Sequence, residues 1–102
     1  MSEITPEQKA TLTRFKRSAK TVAAMLSHQM ISLRMLASRN AAAYAVLKMA
    51  PGMIAENRSL AVKAEAMLAR GSCSDKEWHE LRDRQALLAA KTEALRDEME
   101  RS

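Results

Sequence analysis

Apolar residues recur along the first half of the chain at alternating steps of three and four: Leu12, Phe15, Ala19, Val22, Leu26, Leu33, Leu36, Ala43 and Leu47, with Gln29 and Asn40 in the two gaps. Ala23, Met30, Ala37 and Tyr44 lie beside this seam and widen it. On a helix of 3.6 residues per turn these positions share one face, which predicts an amphipathic helix with a broad core-facing stripe. Its start is marked locally. Thr5 suits the N-cap, Pro6 the first helical position, and Gln8 completes a capping box, while Glu7 favours the positive helix end. Neither Gly nor Pro follows until Pro51-Gly52, and a proline disfavours helical backbone in the residue before it. The pattern therefore predicts helix 1 over residues 6–49, about 66 Å long at 1.5 Å per residue. Ser38-Arg39-Asn40 is the point at which such a helix would bend or break.

Helix 2 is predicted over 53–70, with Leu60, Ala64, Met67 and Leu68 as its apolar face and Gly71 suited to the left-handed position after its end. Helix 3, over 75–101, has a strong start signal. Ser74 and Glu77 form a capping box, and Cys73 and Trp78 have the spacing of a hydrophobic staple. Trp78, Leu81, Gln85, Leu88, Thr92, Leu95 and Met99 then repeat at three and four. Glu80–Arg84 and Asp97–Arg101 fall at i,i+4 on the opposite face, each favourable by a few tenths of a kcal/mol.

These elements predict an all-α single domain over 1–102: an elongated antiparallel hairpin or bundle of three helices with coiled-coil-like heptad packing. Helices 2 and 3 together match helix 1 in length, so they are expected to return along it, jointed at Gly71. Such a layer leaves part of each apolar stripe facing outward. A second copy would cover it, which predicts a homo-oligomer, most simply a dimer. The expected seam residues are Leu12, Phe15, Val22, Leu26, Leu33, Leu36, Trp78, Leu81, Leu88 and Leu95. Polar residues at seam positions, here Gln29 and Asn40, can set register and oligomer number, and Asn40 reads equally as a helix break.

Composition narrows the function classes. The 102 residues suffice for one domain, and 47% hydrophobic with 28% charged residues is a globular balance. Two Gly and two Pro argue against a turn-rich sheet protein, and 3% aromatics leave little for base or sugar stacking. One cysteine excludes a disulfide framework within the chain and a cysteine-based structural zinc site. Met1 to Pro6 lacks a basic region followed by an apolar run, and Val22–Leu36 is too short and too polar to span a bilayer. A cytoplasmic protein is expected, and the alanine-rich, lysine-poor composition suggests a bacterial or phage source.

The net charge of +5 is unevenly placed: eight Lys or Arg against two acids in residues 1–50, nine against ten in 51–102. On helix 1, Arg14, Arg17, Lys20, Arg34, Arg39 and Lys48 lie opposite the apolar seam and Lys9 and Lys16 flank them. Such a stripe can meet an acidic protein, follow nucleic-acid phosphates, or stand as a solvated face neutralised by acids of helix 3. Ile31 and Met35 lie off the seam; either helix 2 covers them or they form a docking patch beside the stripe. A basic face opposite Leu, Phe, Val and Met also resembles a membrane-surface helix, but helix 3 offers a matching face that explains the pattern without lipid.

No catalytic or cofactor constellation is present. Cys73 precedes a helix N-terminus, a place that can lower a thiol pKa, but the staple explains it. His28 and His79 form no metal-ligand spacing, and the serines lack a nucleophile elbow. The expectation is a non-enzymatic interaction protein without cofactor or metal, an adaptor, inhibitor or structural component of an assembly. Its partner contacts would be Arg14, Arg17, Lys20, Ile31, Arg34, Met35 and Arg39, with a nucleic-acid-binding protein as the rival class.

Overall fold

The computed structural model describes residues 2–101, the side chains of Met99 and Arg101 excepted. The Met99 seam position and the Asp97–Arg101 pair therefore lie outside the described side chains. The chain is all-α: three long helices, α1 (Pro6–Leu36), α2 (Ala41–Arg70) and α3 (Asp75–Arg101), run up, down and up as an elongated body of 52 × 19 × 17 Å. Two residues at each of two places, β1 (Ser2–Glu3) and β2 (Ser72–Cys73), pair antiparallel, and the Ile4 N–H donates to the Gly71 carbonyl at 3.1 Å. This small pairing ties the N-terminal segment across the α2–α3 turn.

The local start and stop signals operate as read. The Gln8 N–H donates to Thr5 Oγ1 at 3.1 Å and the Thr5 N–H to Gln8 Oε1 at 3.0 Å. Ser74 and Glu77 make the same reciprocal pair at the head of α3. Gly71 ends α2 with φ 72°, a left-handed conformation that glycine adopts without a Cβ penalty, and its N–H donates to the Met67 carbonyl.

Two boundaries differ from the sequence reading. Helix 1 ends at Leu36, not near residue 49, and the chain turns back through Ala37–Asn40. Asn40 is the N-cap of α2: its side-chain oxygen accepts from the N–H groups of Ala42 (2.9 Å) and Ala43 (3.2 Å), satisfying donors a helix start otherwise leaves open. Replacing Asn40 with alanine removes that acceptor; thermal unfolding should show a loss of about 1 kcal/mol.

The second difference is Pro51, which lies inside α2 instead of separating two helices. Its ring removes one i→i−4 hydrogen bond, to Leu47, but Pro51 and Gly52 sit on the exposed side. The buried side runs unbroken past them: Ala43, Val46, Ala50, Met53, Asn57, Leu60, Ala64 and Met67 follow steps of three and four over the whole helix. The expected return of two short helices along one long helix is thus replaced by three helices of similar length.

α1 packs most extensively on α2, and α3 closes the same core, Leu81 and Leu88 clustering with Leu12 and Phe15 and Leu95 with Leu26 and Leu33. Ala19, Ala23, Ala43, Ala50, Ala61 and Ala64 are all buried, and such small side chains let backbones approach closely. The core has two parts. Leu12, Phe15, Leu60, Met67, Leu81 and Leu88 lead the one at the Gly71 end, against which Trp78 packs. Leu26, Leu33, Val46, Met53, Ile54 and Leu95 lead the one toward the Asn40 end. Of the ten expected seam residues, Leu12, Phe15, Leu26, Leu33, Leu81, Leu88 and Leu95 are buried within this single chain, Val22 and Trp78 are half-buried, and Leu36 is 52% exposed. The covering that the sequence reading assigned to a second copy is supplied here largely by α2.

Candidate interaction surface

The basic stripe divides into parts with different surroundings. Lys16 and Lys20 lie on the flank of α1 next to α2, and their Nζ atoms stand 3.0 and 2.9 Å from Glu65 Oε1. Hydrogen bonds from Lys20 and then Lys16 hold the Glu65 carboxyl below its ordinary pKa. Lys20 is therefore engaged inside the chain, by an acid of α2 and not of α3. Lys48 belongs to α2, where its Nζ lies 5.8 Å from the Tyr44 ring centroid. Arg39 lies in the α1–α2 turn, its N–H donating to the Leu36 carbonyl at 3.0 Å.

Arg14, Arg17 and Arg34 remain on exposed parts of α1, and among the described residues no ion pair engages them. Ile31 (65% exposed) and Met35 (75% exposed) are not covered by α2. With Met25, also exposed, they continue the arginine face toward the Asn40 end, where Leu36 and Tyr44 add further exposed apolar surface. At 100° per residue Arg17, Thr21, Ala24, His28, Ile31 and Met35 form one outward row, with Arg14 and Met25 beside it. The structure thus sets Arg17, Ile31 and Met35 in that row with Arg14 beside it, places Arg34 about 100° round the helix from Arg17 on the Lys16 flank, and leaves Lys20 engaged by Glu65 and Arg39 in the turn.

The remaining chemistry-bearing groups are placed as follows. Cys73 is buried against the core at the Gly71 end, and desolvation, with the nearby Glu77 carboxylate, pushes its thiol pKa up. That direction opposes the thiolate needed for nucleophilic work. Arg70 reaches Glu77 at 2.8 Å, and this bond together with the Ser74 N–H holds the Glu77 carboxyl low. His28 and His79 are exposed, and among the described residues no group of three or more His, Cys, Asp or Glu could hold a metal ion. An open groove of about 500 Å³ between α2 and α3 is lined by both signs of charge, Lys63, Arg70 and Arg84 against Glu77, Glu80 and Asp83.

Two features escaped the sequence reading. Asn57 is 4% exposed in the core face of α2, its Nδ2 donating to the Met53 carbonyl at 2.8 Å. Its register was readable three residues before Leu60 in the predicted helix 2, but a polar side chain does not show in an apolar spacing. The second is the outer side of α3, where Asp83, Glu93 and Asp97 flank Ala86, Leu87, Ala90 and Ala94, all exposed. Leu87, 58% exposed, is the large apolar residue of that face.

Compared with protein-family models, curated proteins and solved structures, the chain finds no match. Among the described residues no helix is long and apolar enough to cross a membrane.

Proposed function

We propose that the chain is a cytoplasmic, non-enzymatic protein-interaction module, homo-oligomeric, that binds an acidic partner through the outer face of α1. The observation that carries this reading is the exposed, unpaired set of Arg14, Arg17 and Arg34 beside the uncovered Ile31 and Met35. Opposite charge steers encounter and register, while exposed apolar side chains lose water on contact and hold the complex. Lys20 contributes less, because binding would compete with its Glu65 contact. Arg39 contributes from the turn.

The test is affinity capture with the wild type and with the variant carrying Arg14→Glu, Arg17→Glu and Arg34→Glu. The three positions are exposed, so circular dichroism should show helicity unchanged. The variant should lose the acidic proteins that the wild type retains; equal retention overturns the proposal.

A second reading follows from Thr13, Ser18 and Thr21, which share the open surface around Arg14 and Arg17. Hydroxyls and guanidinium groups together suit a phosphate backbone. This reading requires binding of a short labelled duplex that falls steeply with added salt. A flat salt response removes it.

A further inference from the structure

α1 and α3 each pack on α2 more closely than on one another. Between them lies a groove of about 240 Å³. Phe15 and Val22 of α1 and Leu88 of α3 form its walls, and Leu60 and Asn57 of α2 form its floor. Asn57 is the one polar residue among the buried residues described, and its neighbours on the core face of α2, Met53, Leu60 and Ala64, are apolar. Its Nδ2 donates to the Met53 carbonyl, one turn back on its own helix, and the side chain makes no other hydrogen bond among the described residues. Oδ1 therefore accepts nothing from the chain. Yet among the described residues no buried side-chain oxygen or nitrogen is sealed off without a partner, so Oδ1 opens outward, and the groove is the opening that Asn57 lines. An acceptor held this deep and left unmatched is costly, so the site favours whatever brings it a donor.

We infer that the groove binds a small neutral aromatic molecule of one or two fused rings that carries one N–H or O–H donor, the chemistry of indole or phenol. Each part of the groove selects this class. Phe15, Val22, Leu60 and Leu88 offer apolar surface against which a ring leaves water. A carboxamide oxygen can only accept, so the ligand must donate. An apolar cavity of about 150 Å³ holds benzene, so a groove of about 240 Å³ takes one or two rings but not a helix about 10 Å across. At the mouth Glu93 and Arg96 set one charge of each sign, which draws in neither anion nor cation. Water can serve Oδ1 in the free protein; the ligand's donor replaces that bond while its ring covers the walls. The groove is open along one side, so affinity is modest, with a dissociation constant on the order of 0.1–1 mM for a fragment of this size.

The experiment is a titration of the isotope-labelled full chain with indole, followed by two-dimensional NMR. Benzofuran is the control, a ring of the same shape without the N–H. The wild type should show saturable shifts confined to the groove, at Phe15, Val22, Leu88 and the Asn57 side-chain amide. It should bind indole about tenfold more tightly than benzofuran, which leaves the buried acceptor without a donor. Asn57→Leu removes the acceptor and keeps the size, so the two probes should then bind alike. Ala89→Phe, at an exposed position on the groove's rim, should fill the groove and weaken both. The wild-type comparison needs no variant, so a misfolded variant leaves the test intact. Indole shifts that spread over the surface or fail to saturate in the millimolar range overturn the inference. Equal binding of the two probes by the wild type, or a preference for indole that survives Asn57→Leu, overturns it as well, and Oδ1 is then served by water alone.

Discussion

Replacing Leu60 with alanine is expected to remove about 3 kcal/mol of stability and lower the thermal midpoint by more than about 10 °C. Leu60 is among the largest side chains that are fully enclosed, and it belongs to the core at the Gly71 end with Phe15 and Ala19 of α1 and Leu88 of α3. Truncation leaves a cavity where three helices meet, and the surrounding side chains can relax only in part. The neighbourhood is already rich in alanine, with Ala19, Ala61 and Ala64 close by, so few long side chains are available to fill the space. Leu87→Ala is the control. It removes the same atoms from an exposed site and should change stability by less than about 0.5 kcal/mol. Equal effects of the two substitutions in denaturant unfolding would mean that α3 does not pack on α2 as described.

Replacing Pro51 with alanine is expected to act in the opposite direction, stabilising the chain by about 2 kcal/mol. A proline inside a helix is less favourable than alanine by about 3 kcal/mol, through the lost hydrogen bond and the clash with the preceding turn. Against that gain, alanine frees the unfolded chain, which offsets about 0.4–1 kcal/mol. Pro51 is exposed, so the exchange removes little buried surface. A higher midpoint with unchanged helical content is the expected result. A fall in stability would mean that the proline shapes α2 for its packing on α1 and α3, and that Ala50 and Met53 on either side depend on it.

These expectations bear on what can be read before the fold is known. Capping boxes at Thr5–Gln8 and Ser74–Glu77 are local: donor and acceptor lie three residues apart, and their chemistry needs no other element. The Gly71 stop is equally local, because only the backbone conformation of that residue is involved. The α3 seam was legible for a related reason. Leu81, Leu88 and Leu95 repeat without interruption and are the buried leucines of that helix, with Trp78 half-buried before them and Gln85 and Thr92 half-buried between them.

The choice between Asn40 and Pro51 as the break was not local. Taken alone, Pro51 is the stronger helix breaker and Asn40 an ordinary interior residue with weak helix preference. Each buried aliphatic side chain contributes roughly 1.5–3 kcal/mol. A continuous α2 keeps Val46, Met53, Ile54 and Leu60 on one buried face, and their combined burial exceeds the proline's penalty of about 3 kcal/mol. Turning at Asn40 then places that face against Leu26 and Leu33 of α1. The exposed arginines and the uncovered Ile31 and Met35 have the same origin: the fold-back spends α2 on the opposite side of α1 and leaves their side open.

By itself, the sequence determined the helical class, the two capped helix starts, the Gly71 stop and the concentration of positive charge in the first half of the chain, because each follows from neighbours within a turn or two or from residue counts. Only the tertiary structure decided where the long apolar run folds back, that Lys16 and Lys20 share Glu65, and which charged and apolar side chains remain open to a partner. Those outcomes depend on which faces meet across distant segments, and the burial gained there outweighs the local preference of any one residue.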